Sequence, residues 1–450
     1  MNSALLAKYD QPVPRYTSYP TVPYWSDAPP SEEAWVAHLR EAYERSPEVS
    51  LYIHLPFCER LCTYCGCNKR ITRNHAVEQP YIEAVLAEWQ LYLQALPGKP
   101  VLRELHLGGG TPTFFSPDNL ERLLLPIFAS VQLSDDFAGS FEAHPATATY
   151  AHLLSLKELG FRRLSIGVQD LNPEIMRLIN RGQTEAEVRQ LTQWARRLGY
   201  DSINYDFIFG LPRQTAADIA YDVKVVEEMR PDRIAFYSYA HVPWNKPSQR
   251  AYSEKDLPLG AAKRALYEEG CDLLEAAGYH EIGLDHFALP TDELYLAWQA
   301  GTLHRNFMGY TPAHTDISLA LGASAISDVW TAFAQNEKGV ERYQERALAG
   351  EFPFIKGYEL TADDRIIRRK ITQLMCTQRM EWADPTDQTP AFLAGLDRLG
   401  DLEKDGLIRR EGLQLEVTEE GRPFLRNIAL AFDEHYWAAR PAEKVFSQGV

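Results

Sequence analysis

Cys58, Cys62, Cys65 and Cys67 fall within ten residues, and their spacing is the most chemically specific feature of this 450-residue chain. Cys58, Cys62 and Cys65 follow the pattern C-x3-C-x2-C, which lets one tight loop aim three thiolates at a single metal centre. A structural zinc site uses two pairs of ligands on segments far enough apart to close a tetrahedron. No second pair exists here, because the other two cysteines, Cys271 and Cys376, stand alone in helical patterns and read as buried free thiols. Three thiolates on an iron–sulfur cluster leave one iron without a protein ligand and open to another molecule. The competing readings of the four cysteines are a structural metal knot or redox-active disulfides.

Such a loop needs elements to carry it. Strand-like runs at 50–57, 104–108, 140–145, 163–170, 202–210 and 233–240 alternate with helical patterns at 79–96, 117–128, 151–159, 185–198, 216–229 and 261–277. The alternation predicts a parallel α/β architecture, and six units in a row predict a partial (β/α)6-type barrel. Functional groups in such barrels gather at the C-terminal ends of the strands. The cysteine loop follows the first strand, and the second runs into Gly108-Gly109-Gly110-Thr111, where missing side chains let backbone amides approach a ligand. The others end near Glu142, Gln169, Asp206 and Ala240. Each alone is an ordinary turn or cap; their recurrence at one edge predicts a shared pocket. Arg181 adds either a cation for a carboxylate or a solvated surface arginine.

Beyond about residue 355 the alternation stops. Amphipathic helices at 360–380 and 392–404, two short strands at 406–410 and 413–417 and a further helix suggest a mostly helical, winged-helix-like module. The expected division is an N-terminal arm (1–45), a barrel with an extension (46–354) and a C-terminal cap domain (355–450). Acidic residues dominate the module, which favours a cap over the barrel mouth rather than a DNA-binding role. A formal charge of −16 leaves no basic surplus for phosphates, so no nucleic-acid partner is expected. Residues 1–10 lack a charged and then apolar leader, and no run approaches a membrane span, so a cytoplasmic protein without a membrane partner is expected. Thiols clustered for metal binding also suit a reducing compartment.

The cysteine spacing after a strand resembles the radical S-adenosylmethionine (SAM) superfamily. That resemblance implies a [4Fe-4S] cluster whose open iron takes the amino and carboxylate groups of SAM and whose electron releases a 5′-deoxyadenosyl radical. The continuation Cys65-Gly66-Cys67-Asn68-Lys69 narrows it, together with Pro14-Arg15-Tyr16-Thr17-Ser18-Tyr19-Pro20, Tyr52-Ile53-His54-Leu55-Pro56-Phe57, Leu284-Asp285-His286-Phe287-Ala288 and His304-Arg305-Asn306-Phe307. Over nearly its whole length the chain closely resembles the oxygen-independent coproporphyrinogen III oxidase family of heme biosynthesis. The family's reaction turns two propionates of coproporphyrinogen III into vinyl groups by oxidative decarboxylation, giving protoporphyrinogen IX.

By this resemblance Cys58, Cys62 and Cys65 hold the cluster and two SAM molecules bind. Tyr52, Gly109, Glu142 and Ile326 match contacts to one; Tyr64, Gly110, Thr111, Gln169, Arg181, Asp206 and Ala240 match contacts to the other. His54 and the non-ligating Cys67 are the catalytic candidates, although His54 can instead brace the loop. Arg15, Lys69 and Arg305 are candidate cations for the substrate's carboxylates. The expected partners are coproporphyrinogen III and an electron donor such as flavodoxin or ferredoxin, and a monomer is expected. His144 and Met308 depart from the family pattern and bear on SAM binding. The alternatives are a heme-binding chaperone of the same branch, a radical SAM methyltransferase, and an iron–sulfur sensor with a DNA-binding tail. Cys67 and the arm 14–20 favour the enzyme over the chaperone.

Overall fold

Six parallel strands, each followed by a helix, form the centre of the computed structural model, which describes residues 3–439 apart from 245. The strands are β1 (Glu48–Leu55), β2 (Val101–Gly109), β3 (Gln132–Ala143), β4 (Phe161–Gln169), β5 (Ser202–Phe209) and β6 (Arg233–Ser238). Their helices are α1 (Glu78–Ala95), α2 (Pro117–Ser130), α3 (Tyr150–Glu158), α4 (Glu185–Arg197), α5 (Ala216–Met229) and α6 (Gly260–Ala276). The six strands are adjacent and in chain order within one sheet, as expected when each crossover helix packs back onto its own strand pair. Local sequence sets the boundaries. Thr149 and Thr184 open α3 and α4 with reciprocal capping boxes, and Ser116 followed by Pro117 opens α2.

The sheet runs further than the six units. Beyond β6 it adds β7 (His280–Gly283) and β8 (His286–Ala288), with β8 antiparallel to β6. A hairpin of β9 (His304–Asn306) and β10 (Gly309–Thr311) stands apart from it. On the other flank come β11 (Ile317–Leu321), β12 (Ile326–Asp328), β13 (Ala332–Asn336) and β14 (Phe354–Glu359), with β11 parallel to β1. The sheet has twelve strands in the order β14-β13-β12-β11-β1-β2-β3-β4-β5-β6-β8-β7.

The main core lies between sheet and helices and includes Trp35, Leu39 and Ala42 of the helix Glu32–Arg45. Fully buried Glu88 on α1 ties the β11–β14 flank to the barrel. Its carboxylate accepts from Gly322 N at 2.9 Å, Tyr343 Oη at 2.6 Å and Asn336 Nδ2 at 2.6 Å. Glu88→Leu strands all three donors, and we expect it to lower unfolding stability by about 3 kcal/mol in a denaturant titration. Burial pushes the Glu88 pKa up to about 7. A raised carboxyl stabilises the fold most when protonated, so its contribution is complete below about 4.5 and is lost as pH rises through about 7. Glu88→Leu removes that pH-dependent component as well.

A second core joins the two ends of the chain. Tyr9, Tyr16 and Tyr19 pack with Ile367, Leu374, Phe424 and Phe432, Asn427 Nδ2 donates to Tyr9 O at 2.9 Å, and Tyr16 Oη donates to Asp433 at 3.0 Å. The helix Ala362–Thr377 begins at the Thr361/Asp364 capping box. The expected single helix at 392–404 is two, Pro390–Arg398 and Gly400–Lys404. Leu399 N bonds to Leu396 O at 3.3 Å in a tightened last turn, and Gly400, a weak helix former, follows. The two wing strands, Ile408–Glu411 and Gln414–Val417, are joined by a third, Arg379–Glu381. This module meets the β9/β10 hairpin through Tyr310 Oη, which donates to Met375 O at 2.9 Å.

Candidate active site

The strand ends open into a cleft of about 550 Å³ lined by residues between Tyr64 and Pro312. Of the residues expected at the site, it gathers Tyr64, Cys65, Cys67, Gly109, Gly110, Thr111, Glu142, Gln169, Arg181, Asp206 and Ala240. Tyr52, His54, Cys58 and Cys62 stand behind or beside this lining. Ile326 lies elsewhere, partly buried against the Trp25, Phe333 and Leu360 cluster.

The cysteine loop hangs between β1 and β2 and is tied down along its length. Arg70 N bonds to Pro56 O at 2.7 Å and Thr72 N to Cys58 O at 2.9 Å. Asn180 Nδ2 donates to Leu61 O at 2.7 Å, and Thr63 N to Ile179 O at 2.9 Å. Gln249 Nε2 donates to both Tyr64 O and Ala240 O, at 3.0 and 3.1 Å, and Lys246 Nζ to Gly66 O at 2.6 Å. Lys69 Nζ donates to Cys65 O at 3.0 Å, so its charge serves the loop and not the cleft.

Cys58, Cys62 and Cys65 are half-buried free thiols, whereas Cys67 is exposed within the cleft. Thr111 Oγ1 lies 3.3 Å from Cys58 Sγ, and Arg181 Nη1 lies 3.7 Å from Cys62 Sγ. Among the described residues no three His, Cys, Asp or Glu side chains converge on a single metal ion. Three thiols on one loop are the donor set an iron–sulfur cluster needs, in which each thiolate takes its own iron. A Cβ on Gly66 would meet nothing within 4 Å, so the loop has open space beside Cys65.

His54 is a brace. Its Nε2 faces the carbonyl oxygen of Asn68 at 2.9 Å, which can only accept, so this nitrogen carries the proton. Nδ1 then accepts from Tyr52 Oη at 3.1 Å. Burial lowers the His54 pKa, keeping the ring neutral. A Cβ on Gly109, whose φ is +116°, would lie 2.7 Å from that ring, and one on Gly110 would lie 2.5 Å from Pro56 O. Both positions therefore require glycine.

The polar lining converges from several strands. Gly109 N donates to Glu142 at 3.2 Å. Asp206 accepts from Ser165 Oγ at 2.8 Å and Asn204 Nδ2 at 2.9 Å, and burial pushes its pKa up to about 6. Arg181 reaches Tyr64 Oη at 2.9 Å and Gly167 O at 2.5 Å, so it is an interior cation and not a surface one. His144 lines the cleft with its pKa held well below the usual range by burial and by Arg181 and Arg60, and Met308 also lines it.

Arg163, Ser165, Arg233, Tyr237, Lys246 and Gln249 also line the cleft and were not singled out in the sequence. The signal was a period of two: Ser165-Gly167-Gln169 and Asn204-Asp206 are polar or small positions alternating with apolar ones on otherwise buried strands. Arg15 and Arg305 are outside the lining, and Arg15 is ion-paired with Asp285.

The family described as the radical SAM superfamily matches residues 52–226, from β1 into α5. The chain is 39% identical to the oxygen-independent coproporphyrinogen III oxidase of Pseudomonas aeruginosa, over 96% of this chain and 95% of that one. It is 38% identical to the enzyme of the same name from Escherichia coli, with the same coverage of both. The solved Escherichia coli coproporphyrinogen III oxidase, a radical SAM enzyme, superposes with a TM-score of 0.88 at 37% identity, covering 94% of this chain and 100% of that one. Full-length likeness, a shared fold and a three-thiol loop facing a polar cleft agree, and the chain belongs to the oxygen-independent coproporphyrinogen III oxidase family of radical SAM enzymes.

Proposed function

We propose that this cleft converts coproporphyrinogen III to protoporphyrinogen IX without oxygen, turning two propionate side chains into vinyl groups. The observation that carries this reading is the tethered cysteine loop, whose Cys65 and Cys67 line the same cleft as Glu142, Arg181 and Asp206. When bound, a [4Fe-4S] cluster and SAM supply a hydrogen-abstracting radical by reductive cleavage of SAM. Each decarboxylation then removes one hydrogen atom from a propionate β-carbon, releases carbon dioxide and passes one electron to an acceptor.

The chain's own residues hold and shield that chemistry. Cys58, Cys62 and Cys65 would hold the cluster, and Cys67 would stay a free thiol lining the cleft. Glu142, with Tyr52 and Gly109, serves the first SAM, its carboxylate suited to an ammonium, whereas Ile326 packs outside the cleft lining. Arg181 suits a carboxylate and Asp206 a ribose hydroxyl of the second SAM, with Tyr64, Gly110, Thr111, Gln169 and Ala240 around them. His54 positions the loop through Asn68 O and Tyr52.

An external donor of the flavodoxin or ferredoxin type supplies the electrons. A cytoplasmic setting accords with six free cysteines, and a monomer accords with a cleft lined within one chain. Among the described residues no helix is long and apolar enough to cross a membrane.

Anaerobic incubation of the reconstituted, reduced protein with SAM and coproporphyrinogen III tests the reading. Mass spectrometry is expected to show a product lacking two carboxyl groups together with 5′-deoxyadenosine. 5′-Deoxyadenosine beside an unaltered porphyrinogen rejects the substrate. Tight heme binding without turnover favours the chaperone.

A further inference from the structure

One wall of the cleft, built by β6, β8 and the β9/β10 hairpin, contains a buried positive charge with no ion-pair partner among the described residues. Arg305 on β9 is 7% exposed. Its guanidinium lies 4.5 Å over the Tyr310 ring and donates to Arg15 O at 3.4 Å, but Nε and Nη1 have no hydrogen-bond partner among the described residues. Its cationic neighbours are already committed: Arg15 pairs with Asp285, and Arg233 Nε donates to Asp292 at 2.6 Å. Arg233 Nη2 and His286 Nδ1 are likewise buried and unpartnered. Arg305, Arg15 and Arg233 act together on His286, adding to its burial and lowering its pKa to about 3, so the ring adds no charge of its own.

A buried guanidinium is costly to leave unpaired, and its five donors favour a planar carboxylate. Arg233, His286 and Tyr310 belong to the cleft lining, so the uncompensated charge borders the space a ligand enters. We propose that this wall is a carboxylate receptor, in which Arg305 and Arg233, backed by His286, bind one of the two substrate propionates that the reaction leaves intact. The assignment rests on the proposed tetrapyrrole substrate. Anchoring a surviving propionate on this wall holds the macrocycle in the cleft that Cys65 and Cys67 also line.

The test is equilibrium binding of coproporphyrin III, an unreactive tetracarboxylate, and of its tetramethyl ester to the reconstituted protein, with melting temperature as a second readout. Wild-type protein is expected to prefer the acid. Arg305→Met is expected to weaken acid binding at least about tenfold while leaving ester binding unchanged. It is also expected to melt no lower than wild type, because the lost charge was uncompensated. Arg305→Lys, which keeps the charge without the fork, is expected to fall between them. Unchanged acid binding in Arg305→Met overturns the receptor, as does an equal loss of acid and ester binding with a lower melting temperature, the signature of a structural arginine. A wild-type protein that binds neither porphyrin overturns the tetrapyrrole reading itself and the receptor with it.

Discussion

Cys58→Ala, Cys62→Ala and Cys65→Ala each abolish turnover and the iron content of the reconstituted protein, whereas Cys67→Ala retains iron. The contrast follows from position. The first three thiols are half-buried on a loop held from Pro56 to Ala240 by backbone and side-chain hydrogen bonds, and Cys67 is exposed in the cleft beyond Gly66. Cys271 packs against the main core and Cys376 in a small cluster with Ile282, Ala288 and Tyr310, where burial pushes both thiols up to about 12, so neither can substitute. Iron and sulfide analysis with visible absorbance checks the result. Iron retained at wild-type level in Cys62→Ala would show that the loop does not bind a cluster in the assigned way.

Arg181→Met is the second large effect. Arg181 joins Tyr64 Oη, Gly167 O and the Gln183 carboxamide, so one side chain connects the cysteine loop to the ends of β4. Losing a charge-assisted contact to a SAM carboxylate costs about 3 kcal/mol, roughly a hundredfold in affinity. We expect kcat/KM to fall by at least that factor, with weaker SAM binding in equilibrium dialysis. Arg181→Lys is not expected to rescue it, because an ammonium cannot serve three separated acceptors. Retained SAM affinity in Arg181→Met would reassign this arginine to loop support alone.

The barrel was legible because its strands are largely buried and punctuated by turn residues, so periodicity and Gly-rich ends located all six units; β3 begins at Gln132, well before the expected 140, because its exposed first half carries little apolar signal. Short strands carried too little pattern: β8 to β10 and Arg379–Glu381 have three residues each, and their pairing comes from tertiary contacts. The shared core of Tyr9, Tyr16 and Tyr19 with Phe424 and Phe432 joins segments some 400 residues apart, which no local signal reports. At the site, strand-end residues were legible because topology places them at one edge. The partners of Lys69 and Arg15 were not legible, because charge in a sequence does not reveal what it meets; Lys69 Nζ donates to Cys65 O and Arg15 pairs with Asp285. Gln249 gave no signal at all, although its buried amide fixes both Tyr64 and Ala240.

The central claim is that this cleft initiates decarboxylation by taking a hydrogen atom from a propionate. Coproporphyrinogen III deuterated at the propionate β-carbons, incubated anaerobically with the reconstituted, reduced protein and SAM, tests it most directly. The account predicts 5′-deoxyadenosine carrying deuterium, formed in step with loss of the carboxyl groups. Decarboxylated product accompanied only by unlabelled 5′-deoxyadenosine would contradict it.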